Sequence, residues 1–134
     1  MAKQAHIYIG RRKNAVARVF LTPAVSGQEA LISINGRTFE NFFPNSLHRD
    51  DVVRPFKVTN TFGSFSVQAN VNGGGTTGQS GAVRLAIARA LSEMNEENKP
   101  LLRKADLMTR DPRMVERKKP GQPGARKKFQ FSKR

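Results

Sequence analysis

Three kinds of residue in this chain suit a ligand that is anionic and carries flat rings: clustered cations, a run of glycines, and aromatics set among charges. Arg11, Arg12 and Lys13 follow one another directly after Gly10. From Val115 to Arg134 there are eight cations, Arg117, Lys118, Lys119, Arg126, Lys127, Lys128, Lys133 and Arg134, with no acid after Glu116. Phe129 and Phe131 stand among them. Cations that neutralise phosphates release counterions, and aromatic faces stack on unpaired bases, so this mixture fits a nucleic acid with exposed bases. Taken alone, the same stretch also reads as a solvated charge run with no specific partner.

The charge of the whole chain tips the balance. Its 134 residues carry 24 Lys and Arg against 10 Asp and Glu, a formal charge of +14. Residues 99–134 hold 13 cations and 3 acids, whereas residues 1–98 hold 11 and 7, so most of the excess lies in the last quarter. A folded body with a polyanion-binding extension accounts for that asymmetry. The stretch from Val115 to Arg134 cannot enclose a core, because Val115, Ala125, Phe129 and Phe131 are its only apolar residues and the entropy of ordering a backbone is large. Pro120, Gly121, Pro123 and Gly124 prevent a helix across its middle. We expect a body over residues 1–108 and an extended basic arm over 109–134.

Bond-making chemistry has little to work with. There is no cysteine, hence no disulfide framework, thiolate metal site or cysteine nucleophile. His6 and His48 lack partners at metal or triad spacing, and the carboxylates occur singly. Gly73, Gly75 and Gly78 in the run Gly73-Gly74-Gly75-Thr76-Thr77-Gly78-Gln79-Ser80-Gly81 satisfy the spacing of a dinucleotide loop between strand and helix. The strand ending in an acidic ribose ligand does not follow, and neither does the Lys-Ser or Lys-Thr pair of a phosphate loop. What remains is close backbone approach, positive φ, and helix N-terminal amides offered to an RNA phosphate. We therefore expect no enzyme, no cofactor, no metal and no small-molecule substrate. Apolar runs are only a few residues long and no signal or transit leader is evident, so a soluble interior compartment without membrane contact is expected.

The elements that would position these residues can be read in order. His6 to Ile9 alternates as a short strand stopping at Gly10, and Arg11, Arg12 and Lys13 are expected in the turn that follows. Ala15 to Leu21 is a buried strand from which Arg18 reaches outward. Pro23, Gly27 and the return of Leu31 to Ile34 read as a hairpin ending at the turn pair Asn35-Gly36. Thr38 to Phe43 suits a helical turn with Phe39, Phe42 and Phe43 packed inward. Ser46 is expected to cap a short helix over Leu47 to Arg54, ended by Pro55. Ser64 to Asn72 alternates cleanly. The glycine run then leads to a helix over Ala82 to Met94 with Val83, Ile87, Ala90, Leu91 and Met94 on its buried face and Arg84 and Arg89 elsewhere. After Pro100, Leu101 to Leu107 gives a last helical stretch with Arg103 and Lys104 outward and Leu102 packed back.

The motifs that carry a family resemblance run through nearly the whole chain. They are Gly10-Arg11-Arg12-Lys13 with Ala15-Val16-Ala17-Arg18-Val19, then Ile34-Asn35-Gly36, Gly73-Gly74-Gly75 with Gly78-Gln79 and Gly81-Ala82, and Arg89-Ala90-Leu91. Leu102-Arg103-Lys104-Ala105, Thr109-Arg110-Asp111, Val115-Glu116-Arg117-Lys118-Lys119 and the terminal Gln130-Phe131-Ser132-Lys133-Arg134 complete them. In order and spacing the chain resembles the bacterial form of small-subunit ribosomal protein nine. The resemblance implies an α/β (α+β) body of the ribosomal protein S5 domain 2-like type, with a mixed sheet packed by helices, lodged in ribosomal RNA of the subunit head beside neighbouring head proteins. It also implies a tail threading toward the peptidyl-site transfer RNA, with Lys133 and Arg134 as the residues near its phosphates.

On this reading the ribosomal RNA contacts fall to Arg11, Arg12, Lys13, Arg18, Gly73, Gly74, Gly75, Gly78, Arg84, Arg110, Arg113, Arg117, Lys118, Lys119, Arg126, Lys127, Lys128, Phe129 and Phe131. The compartment is the cytoplasm, in the ribosome, with an organelle ribosome left open. A basic module binding other RNA or DNA, and a nucleotide-dependent enzyme using the glycine loop, are the competing readings.

Overall fold

The computed structural model describes residues 7–23, 32–61, 65–110 and 120. Alternation of small or apolar residues with polar ones makes three long strands, β1 (Ile7–Arg12), β2 (Ala15–Pro23) and β5 (Phe65–Asn72). Two short ones join them, β3 (Ile32–Ile34) and β4 (Arg37–Thr38). The sheet order is β1-β2-β5-β3-β4, with β3 parallel to β5 and all other pairs antiparallel. Four helices accompany it: α1 (Phe39–Phe42), α2 (Ser46–Thr59), α3 (Thr76–Met94) and α4 (Asn98–Lys104). This is the mixed α+β body that the resemblance implied. The basic arm lies outside the described residues except for Thr109, Arg110 and Pro120.

Several boundaries differ from the sequence reading, each for a tertiary reason. The first strand does not stop at Gly10 but runs through it to Arg12, since Gly10 pairs with Ala17 and faces α3. His6 and Leu31 lie outside the described residues. The expected return of the chain beside β2 does not form. β2 is already paired along both edges, with β1 and β5, so β3 goes to the far side of β5, and the hairpin is instead β3–β4 around Asn35-Gly36.

Asn35 and Gly36 both have positive φ, +52° and +76°, as the mirror-image turn of a tight hairpin demands. The Asn35 side chain does more than permit the turn. Its Oδ1 accepts from the Val71 amide at 2.8 Å and its Nδ2 donates to the Val71 carbonyl at 3.0 Å, which continues the β3–β5 pairing with a side chain after the backbone has turned away.

Helix α2 starts after Asn45, whose Oδ1 accepts from the Leu47 amide at 2.9 Å, so Asn45 rather than Ser46 is the cap. It also continues through Pro55. A proline inside a helix costs roughly 3 kcal/mol, but this one is fully buried beside Val52 and Phe56, and burial of such side chains stabilises by about 1.5–3 kcal/mol each. The helix ends five residues later on left-handed Asn60, with the Thr61 amide donating to the Phe56 carbonyl.

α3 begins at Thr76, six residues before the position expected from its apolar spacing. The expectation counted Gly78 and Gly81 as loop because glycine costs about 1 kcal/mol in a helix interior. Here their missing side chains make room: a Cβ on Gly81 would run into the Arg12 side chain, and one on Gly78 would stand 3.2 Å from the Arg12 carbonyl oxygen. Gly78, Gly81, Ala82 and Ala86 thus form a smooth stripe on which β1 lies. Val83, Ile87, Ala90 and Leu91 are buried as expected, but Met94, at the last position of the helix, is 43 % exposed.

α4 begins at Asn98, ahead of Pro100, and ends at Lys104, so Leu107 reaches the core from a turn rather than a helix. Proline fits the first turn, where its missing donor has no partner to lose. Leu102 is fully buried, and Phe43 takes Phe42 and Phe39 edge-on at 4.8 and 6.2 Å between ring centroids, so these aromatics build the core.

Candidate nucleic-acid interface

The three consecutive cations expected in one turn are sent in three directions by strand geometry. Only Lys13 is in the turn, at φ +53°. Arg11 is exposed and points away from the helices, because successive strand residues face opposite sides. Arg12 points toward α3 and α2, where its Nη1 lies 3.9 Å from Asp51 Oδ2. Arg84 donates to the other oxygen of Asp51 at 2.7 Å. A single α2 carboxylate therefore ties the end of β1 to α3.

The glycine loop passes directly under the Lys13 turn. Gly73 and Gly74 have φ of +77° and +66°, and a Cβ on either would press on the backbone of Asn14 or Ala15. The close approach and positive φ expected of the run are thus met at Gly73 and Gly74. Gly75 differs: its φ is −99° and nothing lies within 4 Å of where its Cβ would be. It is the residue from which α3 starts, and it supplies no side-chain cap.

Lys13, Asn14, His48, Gly74, Gly75, Thr76, Thr77 and Gly78 line one cleft of about 550 Å³. A helix start concentrates amide donors and partial positive charge, and here a lysine stands across the cleft from it. His48 Nε2 lies 3.4 Å from Thr77 Oγ1, and Gln79 Nε2 donates to the Gly73 carbonyl, bracing the loop from two sides. Sequence reasoning overlooked Thr76, Thr77 and His48; paired threonines opening a helix were the available signal.

The other expected contacts are dispersed. Arg18 is exposed on the open side of β2, and Arg110 is exposed where the described body ends. Arg113, Arg117, Lys118, Lys119, Arg126, Lys127, Lys128, Phe129, Phe131, Lys133 and Arg134 lie outside the described residues. Arg89, which the sequence left unassigned, donates to the Ile9 carbonyl at 2.7 Å and so occupies an edge acceptor of β1. A larger cleft, about 850 Å³, opens between α3 and α4, but Glu93 and Glu96 line it with Lys99 and Arg103, a balanced lining that gives an anion no net attraction. Among the described residues no group of His, Cys, Asp or Glu could hold a metal ion, and no helix is long and apolar enough to cross a membrane.

Fold and surface together define a strongly basic α+β domain that presents a lysine and an uncapped helix start in one cleft. Comparison with known proteins gives this class a family. The ribosomal protein S9/S16 family pattern matches residues 10–134, and the chain belongs to that family, which is structural rather than enzymatic. It is 53% identical over 126 residues to the small ribosomal subunit protein uS9 of Gemmatimonas aurantiaca, covering 94% of this chain and 95% of that one. The protein of the same name from Anaeromyxobacter sp. strain K is 51% identical over 134 residues, the full length of both. That from Bacteroides fragilis is 52% identical over 126 residues, again 94% and 95%.

Proposed function

We propose that this ribosomal protein is a structural constituent of the small subunit in the cytoplasmic ribosome, that its body (residues 1–108) anchors to ribosomal RNA of the subunit head, and that its basic segment (109–134) runs to the peptidyl-site transfer RNA. The observation that carries the anchoring is the shared cleft of Lys13 and the start of α3, where a phosphate oxygen can take backbone amides and an ammonium together. Gly73, Gly74 and Gly78 let the strand turn and the helix meet closely enough to form it. In this reading Arg12 and Arg84 act mainly through Asp51, holding the Lys13 turn against α3, while Arg11, Arg18 and Arg110 meet RNA from exposed positions. The cations of 109–134 neutralise phosphates of closely packed RNA, and Lys133 and Arg134 are the contacts with transfer RNA.

Binding of the full-length protein to small subunits reconstituted without it tests both halves. Lys13→Ala should flatten the log–log salt dependence of binding by up to about one unit; an unchanged slope removes the cleft from the interface. Lys133→Ala with Arg134→Ala should leave incorporation nearly intact and weaken peptidyl-site transfer RNA binding, most at low salt. The exchange Lys133→Arg with Arg134→Lys should preserve it, since a phosphate contact chiefly needs charge. Equal transfer RNA affinity in double-alanine subunits rules the tail tip out.

A further inference from the structure

One face of the sheet is covered by α3, which packs over Gly10 and the buried Ala15, Ala17 and Val19. Among the described residues no helix covers the opposite face, here called the open face, and its composition is unusual for a solvated sheet. Strand alternation and register set three rows across β1, β2 and β5: Arg11, Val16 and Asn72; Ile9, Arg18 and Asn70; and Ile7, Phe20 and Gln68. Gln68, Asn70 and Asn72 are all exposed, as are Arg11 and Arg18. Among the described strand residues of this face there is no carboxylate.

We propose that the open face docks on the minor groove of a double-helical RNA segment. The inference rests on the preceding reading in taking RNA as the partner and Arg11 and Arg18 as contacts; it concerns a different surface from the Lys13 cleft and adds the carboxamide row, which that reading does not use. A-form RNA offers a wide, shallow minor groove lined by 2′-hydroxyls, each both donor and acceptor, and is read by shape and by contacts to those hydroxyls and to flanking phosphates. A row of three carboxamides supplies donors and acceptors at once. Arg11 and Arg18 stand on one side of that row, where a phosphate strand would pass.

Stacking of single-stranded bases is disfavoured, because among the described residues Phe20 is the only aromatic ring this face presents at its centre and it is half-buried. A protein partner is disfavoured too. Interface cores are depleted in charge and bury about 800 Å² on each side, whereas the apolar exposure here is a pair of isoleucines on the edge strand, Ile7 and Ile9 at 46% and 41%. Such a pair fits the C–H faces of riboses at the groove margin.

The test uses the full chain and small subunits reconstituted without the native protein. Asn70→Asp with Asn72→Asp puts two negative charges on the open face; Asn95→Asp with Asn41→Asp makes the same charge change at exposed sites off it. Thermal unfolding of each free protein confirms the fold. The first pair should weaken binding at least tenfold with loss of ribose protection from hydroxyl radicals on both strands of one RNA helix; the second should change affinity less than threefold. Equal weakening by both pairs reduces the effect to net charge and overturns the proposal. Weakening without change in ribose protection assigns the face to a protein neighbour and overturns it as well. Lys13→Ala, measured alongside, reports on the cleft separately, so that either surface can fail without the other.

Discussion

A methyl group on Gly10 would occupy the space already taken by the carbonyl oxygen of Ala82. The strand and helix meet backbone to backbone at this point, and neither side has a flexible chain end that could yield. Gly10→Ala should therefore cost about 3 kcal/mol, the upper range for overpacking a filled core, read as a lowered midpoint of urea unfolding. A loss below about 0.5 kcal/mol would show that β1 can lift from α3 freely.

Asn35 offers a sharper substitution than deletion. Asn35→Asp keeps a residue suited to positive φ and keeps the acceptor for the Val71 amide, but it turns the second contact into an oxygen facing the Val71 carbonyl. If the side chain matters only for the turn, Asp should be nearly neutral. We expect a loss of about 1–3 kcal/mol, the range for a part-buried polar group left without its bond, comparable to that of Asn35→Ala.

Two glycines of the same run, Gly75 at the start of α3 and Gly78 within it, should respond differently. Gly78→Val adds branches against Arg12 and Lys13 inside a buried helix turn, and should destabilise by about 2 kcal/mol. Gly75→Val meets open space at an ordinary φ, so its stability cost should stay below about 1 kcal/mol. It nevertheless sets a bulky group at the mouth of the cleft, and binding to protein-depleted small subunits should fall while the unfolding midpoint holds.

Asp51 is shared by two arginines, with its side chain about one-quarter exposed. An exposed pair is worth about 0–1 kcal/mol, whereas removing one partner of a fully buried pair costs about 3–5. Asp51→Asn should fall between, near 2 kcal/mol, in chemical denaturation. Should stability be unchanged, the carboxylate would not be what fastens β1 to α3.

Tyr8 supplies a pH dependence. Burial, and then the nearby negative charge of Glu93, hold its phenol above the usual value of about 10. Above pH 10 an unfolded chain loses this proton while the folded one keeps it, so the folded state binds more protons and stability declines as pH rises through that window. Below it the contribution is complete. Thermal midpoints of the native protein and Tyr8→Phe, compared between pH 9 and 11, should diverge, with the native protein losing more on the alkaline side.

Alternation in β5 and helical spacing in α3 picked out most of the core-facing residues of those two elements. Val67, Ala69, Val71, Val83, Ile87, Ala90 and Leu91 are buried as their periods required, because the exclusion of apolar surface from water acts on each segment wherever it ends up; Met94, at the end of α3, is the exception. Charge distribution was equally legible, being a count of residue types. The ordered motifs were enough to find the family.

Tertiary structure decided what depends on residues far apart in the chain. β5 could take the place beside β2 only once its full edge was available, which displaced β3 and moved the hairpin to Asn35-Gly36. Gly78 and Gly81 entered a helix against their own preference, because β1 lies close against them: a Cβ on Gly78 would stand 3.2 Å from the Arg12 carbonyl oxygen, and one on Gly81 would run into the Arg12 side chain. Three adjacent cations became one turn lysine, one exposed arginine and one arginine tied to a carboxylate 39 positions later. Local preference amounts to about 1 kcal/mol per residue, while packing and desolvation at a buried contact reach several. Where the two conflict, as at Pro55, Gly78 and Gly81, the buried contact prevails.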